Sequence, residues 1–141
     1  MMRADIVKAI QDLLRATGAF STVCGIGSDN PTYPLARVWA NGCPANGNLN
    51  DSPKARIDLR VAVQVETNPV KDADGNTDES ALYNLVDQSF MALHNVKLPG
   101  KGSQPLSVHD HPGLQGYKQA KPVVYLLQVS VRVIPASFSL T

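Results

Sequence analysis

The chain has 141 residues, of which 43% are hydrophobic and 18% charged, and its formal net charge is +1. Such a chain can bury the core of one domain, so wholesale disorder is not expected, and its balanced charge gives no general attraction to nucleic acid or anionic membranes. No segment approaches the ~20 apolar residues of a membrane helix. Asp5 and Asp12 lie within an amphipathic N-terminal pattern, which argues against a secretory signal. Cys24 and Cys43 are too few for a disulfide framework and are predicted to be free thiols in a reducing compartment.

The first predicted element is a helix over Ala4–Thr17 that stops at Gly18. Its apolar residues fall at helical spacing, and they are Ile6, Val7, Ile10, Leu13 and Leu14. A short extended piece is expected after it, around Phe20 and Val23.

Two strands joined by a turn-rich tip are predicted next. In Arg56–Thr67 the odd positions through Val65 are large aliphatics, and the even positions are polar, charged or alanine. Only a strand uses this period of two to bury one face and expose the other. Leu35–Ala40 is a shorter strand, and the connection Asn41–Pro53 is rich in glycine, proline and asparagine. We expect an antiparallel hairpin with a long loop at 41–53.

A second helix is predicted after a polar loop that follows Thr67. Thr77 or Asp78 is expected to cap this helix, with Asp78 and Glu79 favourable near its positive end. The helix is expected to end near Asn95. Its apolar stripe consists of Leu82, Leu85, Val86, Phe90 and Leu93.

The last third of the chain holds a long loop and a final strand. Val96–Lys121 is rich in glycine and proline, and loops of such length are usually functional. We expect Leu106–His109 within it to form a short strand that pairs with the last strand, Val123–Ile134. Val124 and Leu126 make both faces of that strand apolar at its start. This pattern fits either a central strand covered on both sides or a strand with one face in a subunit interface.

These elements predict an α+β fold in a single domain over residues 1–141. We expect a mainly antiparallel sheet of about four strands with two helices packed on one face. Long loops at 41–53 and 96–121 and a short C-terminal tail at 135–141 complete the domain.

The His109–Asp110–His111 cluster raises the question of a metal site, because imidazoles and a carboxylate bind transition metals. On a strand the two histidines would share a face, but no third ligand lies at a recognisable spacing. Pro112–Gly113 follows at once. A solvated turn is therefore the preferred interpretation.

The segment Asp72–Asp78 resembles part of a calcium-binding loop. Such a loop needs glycine at its sixth position and glutamate at its twelfth, and these positions hold Thr77 and Tyr83. A turn followed by a helix cap is the better explanation. With no nucleophile or phosphate-binding motif elsewhere, we predict no catalytic residue, no cofactor and no metal, and a chain that is not an enzyme.

Charge alternates along one strand face at Arg56, Asp58 and Arg60. Such a face is usually solvated, but it can also meet complementary charges on a neighbouring subunit. The predicted assembly interface combines this charged face with the loop tip, the two histidines and the second apolar face of the last strand. The predicted interface residues are Asn46, Asn48, Asn50, Arg56, Asp58, Arg60, His109, His111, Val124 and Leu126.

The order of elements resembles that of the tail terminator proteins of long-tailed bacteriophages, of the lambda type. The matching stretches are Pro34–Gly42, Ala55–Glu66, Asp78–Val96 with its acidic start, Tyr117, and Val123–Val133. They cover most of the chain and form a pattern rather than a diagnostic signature. The resemblance does not extend to the tip at 41–53 or to the segment at 96–121.

This resemblance implies a small α+β domain that assembles into a homo-hexameric ring on the end of a finished tail tube. Such a ring stops tube polymerisation and joins the tail to the head through a head-completion or neck protein, while DNA passes through its lumen without sequence-specific binding. It implies no catalytic residues and a location in the virion after assembly in the host cytoplasm. Two alternatives remain: another neck or head-completion connector, or a small-molecule-binding or enzymatic α+β domain whose long loops act as a lid.

Overall fold

Two helices pack against one face of a five-stranded sheet in this computed structural model. The structure describes residues 2–27, 32–42, 57–71, 73–75, 77–98, 104–115 and 122–133. In chain order the elements are α1 (Met2–Ala16), β1 (Thr22–Cys24), β2 (Leu35–Ala40), β3 (Ile57–Thr67), β4 (Val70–Lys71), β5 (Thr77–Asp78), α2 (Ser80–Leu93), β6 (Ser107–Gln115) and β7 (Val123–Val133).

The large sheet has the strand order β1-β2-β3-β7-β6 and is antiparallel except for the β1–β2 pair. β3 and β7 form its centre, in a continuous register that runs from Ile57 opposite Val133 to Thr67 opposite Val123. β2 pairs antiparallel with β3, which confirms the predicted hairpin. The predicted α+β class is therefore correct, and the sheet has one more strand than expected because the extended piece at Thr22–Cys24 joins its edge.

The core lies between the two helices and the odd-numbered positions of the central strands. Leu59, Val61, Val63 and Val65 of β3 are buried in one cluster with residues from both helices. The helical members of that cluster are Ile6, Ile10, Leu14, Leu82, Leu85, Val86 and Leu93. The period of two on the strands and the helical spacing on the helices therefore meet at one apolar layer, as the sequence predicts.

The start of α2 differs from the prediction. Residues 70–71 and 77–78 form a two-stranded antiparallel ladder, β4–β5, where a loop was expected. The N-cap position is Glu79, whose side chain makes no capping hydrogen bond, rather than Thr77 or Asp78. Asp78 still serves the helix end, because its Oδ1 accepts a hydrogen bond of 2.9 Å from the backbone N–H of Ser80. This bond satisfies one of the donors that every helix start leaves open.

β6 is longer than the predicted Leu106–His109 strand, and it contains the segment that was expected to be a solvated turn. The prediction was wrong because it took Pro112–Gly113 as a strand end. The sheet instead absorbs these residues in a register shift between Asp110 and Gly113. Gly113 has a φ of +95°, which glycine adopts without strain, and β6 resumes pairing with β7 beyond it.

The outer edge of β6 is covered along its first residues by the segment that leaves α2. The N–H of Asn95 donates to the carbonyl of Leu106, and the N–H of Leu106 donates to the carbonyl of Val96, each at 2.7 Å. The N–H of Val108 donates to Nδ1 of His94 at 3.1 Å. Backbone groups that could pair with another strand are therefore already used over Leu106–Val108, which protects this edge from sheet extension.

Candidate interaction surface

The face of the sheet opposite the helices is the surface on which most predicted site residues meet. The strand register places the even-numbered residues of β3 and β7 on this face. The odd-numbered residues of β2 and of the first half of β6 lie on the same face. Neither of the two described helices packs on it. We call it the helix-free face, and its members are Leu35, Arg37, Trp39, Asp58, Arg60, Ala62, Gln64, Glu66, Ser107, His109, Val124, Leu126, Gln128, Ser130 and Arg132.

Two ion pairs lie at opposite ends of the helix-free face. Asp58 and Arg132 stand directly opposite each other on β3 and β7, and their side chains pair at 2.6 and 3.3 Å. This hydrogen bond, and the charge of Asp58, raise the pKa of Arg132 above its ordinary value. At the other end Arg37 pairs with Glu66 at 2.6 Å, and that hydrogen bond raises the pKa of Arg37. Asp58 was predicted to meet a neighbouring subunit, but it has this partner within its own chain.

A cleft of about 420 Å³ opens at the Asp58–Arg132 end of the face. Its polar lining comes from Asp58, Arg60, Gln104, Ser107, Ser130 and Arg132. Arg60 lies directly opposite Ser130 on β7, and Ser130 lies opposite Ser107 on β6, so one cross-strand row carries a guanidinium and two hydroxyls. Within the described residues the Arg60 side chain has no carboxylate partner. The cleft therefore offers hydrogen-bond donors and an uncompensated positive charge to an anionic group.

The next cross-strand row carries a buried amide that lacks one hydrogen bond. Gln128 is 4% exposed, and its Nε2 lies 3.3 Å from Nε2 of His109. Its Oε1 is buried and has no hydrogen-bond partner among the residues that the structure describes. A buried acceptor without a partner costs free energy, so this position favours a donor supplied from outside the described sheet.

Five of the ten predicted interface residues lie together on the helix-free face. Val124 and Leu126 are half-buried there, which agrees with a central strand whose second face is partly covered. His109 and Arg60 are exposed, and Asp58 is half-buried. His111 is exposed at the β6 register shift, with its ring centroid 6.2 Å from that of His109. The other four, Asn46, Asn48, Asn50 and Arg56, lie outside the described residues, as do residues 43–53, 99–103 and 116–121 of the two long loops and the tail at 135–141.

Sequence reasoning missed Ser107, Gln128, Ser130 and Arg132 as members of this surface. The signal for the three β7 residues was present, because they share even numbering with Val124 and Leu126. If the odd positions of β3 and β7 both bury against the helices, their even positions must share the other face.

Cys24 is a free, half-buried thiol, and Cys43 lies outside the described residues. Within the described ranges no group of three or more His, Cys, Asp or Glu side chains is arranged to hold a metal ion. Neither α1 nor α2 combines the length and the hydrophobicity that a membrane-spanning helix requires. A scan against protein-family models finds no match for this chain, and neither does a search of curated proteins.

Proposed function

We propose that this chain is a structural assembly protein of the tail-terminator type. In this proposal, copies of the chain form a hexameric ring that caps a phage tail tube, ends its polymerisation and supplies the surface that joins the tail to the head. The helix-free face is the observation that carries the proposal. Among the described residues, it combines half-buried apolar side chains, a cleft whose Arg60 guanidinium has no carboxylate partner, and a buried amide oxygen without a hydrogen-bond partner. These are features of a surface that is completed by another protein.

The fold supports the proposal in a second way. The order of helix, short strand, long alternating strand, helix and final strand is the order on which the resemblance to tail terminators rests, and the chain folds in that order. The covered edge of β6 disfavours one open-ended mode of association. Because its backbone groups are used over Leu106–Val108, association through this part of the edge into an open-ended sheet is disfavoured.

Capping follows from the geometry of a ring. A growing tube end repeats one binding surface, and a ring that matches this surface on one side and differs on the other stops growth after one layer. The second side is then free for a head-completion or neck protein. The net charge of +1 suits a lumen through which DNA passes, because strong binding to DNA requires many phosphate contacts from Lys and Arg.

Native mass spectrometry over a wide range of protein concentration tests the assembly state. We expect a species of six times the 15.1 kDa chain mass, populated more at high concentration. The capping role is tested by adding the protein to polymerising tail tube protein encoded in the same genome and measuring tube lengths by electron microscopy. Tubes that stop growing support the proposal. A chain that stays monomeric, both alone and with tubes, and that leaves tube length unchanged contradicts it.

The cleft favours a second candidate, a small-molecule-binding domain. Its volume of about 420 Å³ lies within the range of ligand pockets, and its polar lining is suited to an anionic ligand. Under this candidate the monomer would be the functional form. A carboxylate or phosphate compound would raise its melting temperature, and Arg60→Ala would abolish that shift. Hexamers that cap tubes and show no such ligand response would argue against it.

A further inference from the structure

Two exposed charges on opposite sides of the molecule have no partner of opposite sign among the described residues. Arg60 lies on the helix-free face, in the cleft of about 420 Å³. Asp87 is exposed on α2, the helix that covers the other face of the sheet, and it lies close enough to Tyr125 of β7 for its charge to help raise the pKa of that tyrosine. Every other charge named on the helix-free face, in contrast, belongs to the Asp58–Arg132 or the Arg37–Glu66 pair.

Asp87 is flanked by exposed apolar side chains. Tyr83 and Met91 lie one helical turn before and after it, so the three residues form one stripe along the outside of α2. Met91 is 82% exposed and Tyr83 is 42% exposed, and both are among the most exposed large hydrophobic residues of the described chain. The hydroxyl of Tyr83 donates a hydrogen bond to the side chain of Glu79, the N-cap residue of α2. We call this stripe the outer α2 face.

We propose that the outer α2 face of one copy docks on the helix-free face of the next copy, with Asp87 entering the cleft to pair with Arg60. This inference rests on the proposed ring and names the two surfaces that build it. The partner is a second copy of this chain because the chain itself carries both halves of the match. The half-buried Trp39 lies one cross-strand row from Arg60 of the positive cleft, opposite Ala62, and the negative stripe has exposed apolar residues on both sides.

The chemistry of the two surfaces fits an interface core. Arg, Tyr and Met are enriched in such cores, and a guanidinium binds a carboxylate through two parallel hydrogen bonds. Ser107 and Ser130 stand in the same cross-strand row as Arg60 and can donate to the second carboxylate oxygen. The buried Oε1 of Gln128 lies one row further along the face, where a docked helix would bring donors.

Docking of this kind builds a ring when the rotation from one copy to the next closes after six copies, and an open filament when it does not. The two surfaces are different and lie on opposite sides of the subunit, so the contact is heterologous and each copy uses one surface on each neighbour. The contact repeats the packing that the subunit uses internally, a helix laid on a sheet. The helix-free face would then have a helix on it in the ring, supplied by the next subunit.

Charge reversal provides the test. Arg60→Glu and Asp87→Arg should each weaken hexamer formation at least about 30-fold, as expected when one partner of a desolvated charge pair is lost. The double variant R60E/D87R should recover hexamers, because every interface regains an opposite pair. An equimolar mixture of the two single variants should also recover them, in rings where the variants alternate. Native mass spectrometry reads out all four samples, and circular dichroism checks that each is folded.

Two further sets of variants make the result interpretable. Lys71→Glu reverses an exposed charge on the β4–β5 ladder and should leave the hexamer unchanged. Arg60→Gln and Asp87→Asn remove the charges without reversal and replace the single variants if either fails to fold. Inorganic phosphate and duplex DNA are titrated onto wild type and R60E to test whether the cleft holds an anion instead.

Hexamers that persist in both single variants, or a double variant that fails to assemble, would overturn the pairing of these surfaces. If such hexamers still cap tubes, the tail-terminator proposal stands without it. Loss of phosphate or DNA binding in R60E with intact hexamers would assign the cleft to an anion and would also overturn the pairing. A wild-type chain that never assembles, alone or on tubes, would overturn both proposals.

Discussion

Nε of Arg37 lies 2.6 Å from Oε2 of Glu66, in an ion pair that joins β2 to β3 diagonally. The side chains are 16% and 7% exposed, so Glu66 is almost removed from water. Arg37 also donates from Nη1 to the carbonyl of Ile26 at 3.3 Å. A buried carboxylate is tolerated only when it is paired, so this contact makes each partner dependent on the other.

We predict that Glu66→Ala lowers the free energy of unfolding by about 3 kcal/mol, because it leaves the charge of Arg37 partly buried without a partner. The value is at the low end for a buried pair because Arg37 retains some contact with water. The double variant Arg37→Met/Glu66→Leu should be close to wild type, since it removes both charges. Urea denaturation of wild type, Arg37→Met, Glu66→Leu and the double variant measures the coupling. A double variant as unstable as the sum of the single variants would contradict it.

Val61→Asp tests the register of the central strand. Val61 is 1% exposed and packs in the core between the sheet and the helices. An aspartate there would be a buried charge without a partner, and it should cost several kcal/mol of the ~5–15 kcal/mol that stabilises a typical domain. Gln64→Asp, on the helix-free face beside Arg37, is the control and should cost much less. Normal thermal unfolding of the Val61 variant would mean that the odd positions do not face the helices.

The central strands were predictable because apolar and polar residues alternate along them, and this local pattern is visible in the sequence. Both ends of β3 and the start of β7 lie within one residue of the predicted positions. The β4–β5 ladder was missed because strands of two residues carry no periodicity. β6 was underestimated because Pro112 and Gly113 are ordinary strand ends, and only pairing with β7 on both sides of the shift keeps them in the sheet.

The interaction surface was predictable in part. Asp58, Arg60, Val124 and Leu126 were selected from alternation, and the register brings them to one face. The ion pairs were not predictable, because Asp58 and Arg132 are 74 positions apart and meet only when β3 and β7 align. The cleft also depends on the approach of Gln104 to Arg132, whose carbonyl accepts the Gln104 N–H at 2.8 Å. No local pattern encodes such contacts.

Gln128→Leu tests whether the buried amide is a cost to the isolated subunit. If Oε1 lacks a partner in the monomer, replacing the amide with an apolar group should raise the free energy of unfolding by about 1 kcal/mol. His109→Ala should have the opposite effect, because it removes the contact to the other end of the amide. Denaturation at low protein concentration, where monomers dominate, provides the comparison. A destabilised Gln128→Leu variant would show that the amide is already satisfied.

Asp78 should make the stability of α2 depend on pH. Hydrogen bonds from the hydroxyl and the N–H of Ser80 lower the pKa of Asp78 below its ordinary value. A lowered folded-state pKa contributes stability above the unfolded pKa, and that contribution is lost as the pH falls through the folded pKa. Asp78→Ala should therefore be less stable than wild type at pH 7, with the difference shrinking below about pH 4. Asp78→Asn keeps an acceptor and should lose less, as measured by thermal unfolding from pH 2 to 7.

Tyr125 should make the domain sensitive to alkali. Burial is the largest cause, and together with the hydrogen bond to Asp110 and the charge of that carboxylate it raises the pKa of Tyr125 to about 12. Below pH 10 the hydroxyl is neutral in both the folded and the unfolded chain, and its stabilising contribution is fully present. Between pH 10 and about 12 only the unfolded chain ionises, so this contribution is lost as the pH rises.

The free energy of unfolding of Tyr125→Phe should fall less steeply between pH 10 and about 12 than that of wild type. The difference in slope should be at most the slope that one titrating proton contributes. Below pH 10 it should cost about 1 kcal/mol, for the lost hydrogen bond to Asp110. Absorbance at about 295 nm, where tyrosinate absorbs, should lose its latest-titrating step in this variant.

Asp110→Asn separates the two causes, because it removes the charge but leaves the ring buried. The pKa of Tyr125 should then fall while staying above its ordinary value of about 10. A Tyr125 that titrates at its ordinary value in the wild-type protein would mean that its hydroxyl is open to solvent and that β6 does not hold Asp110 against it.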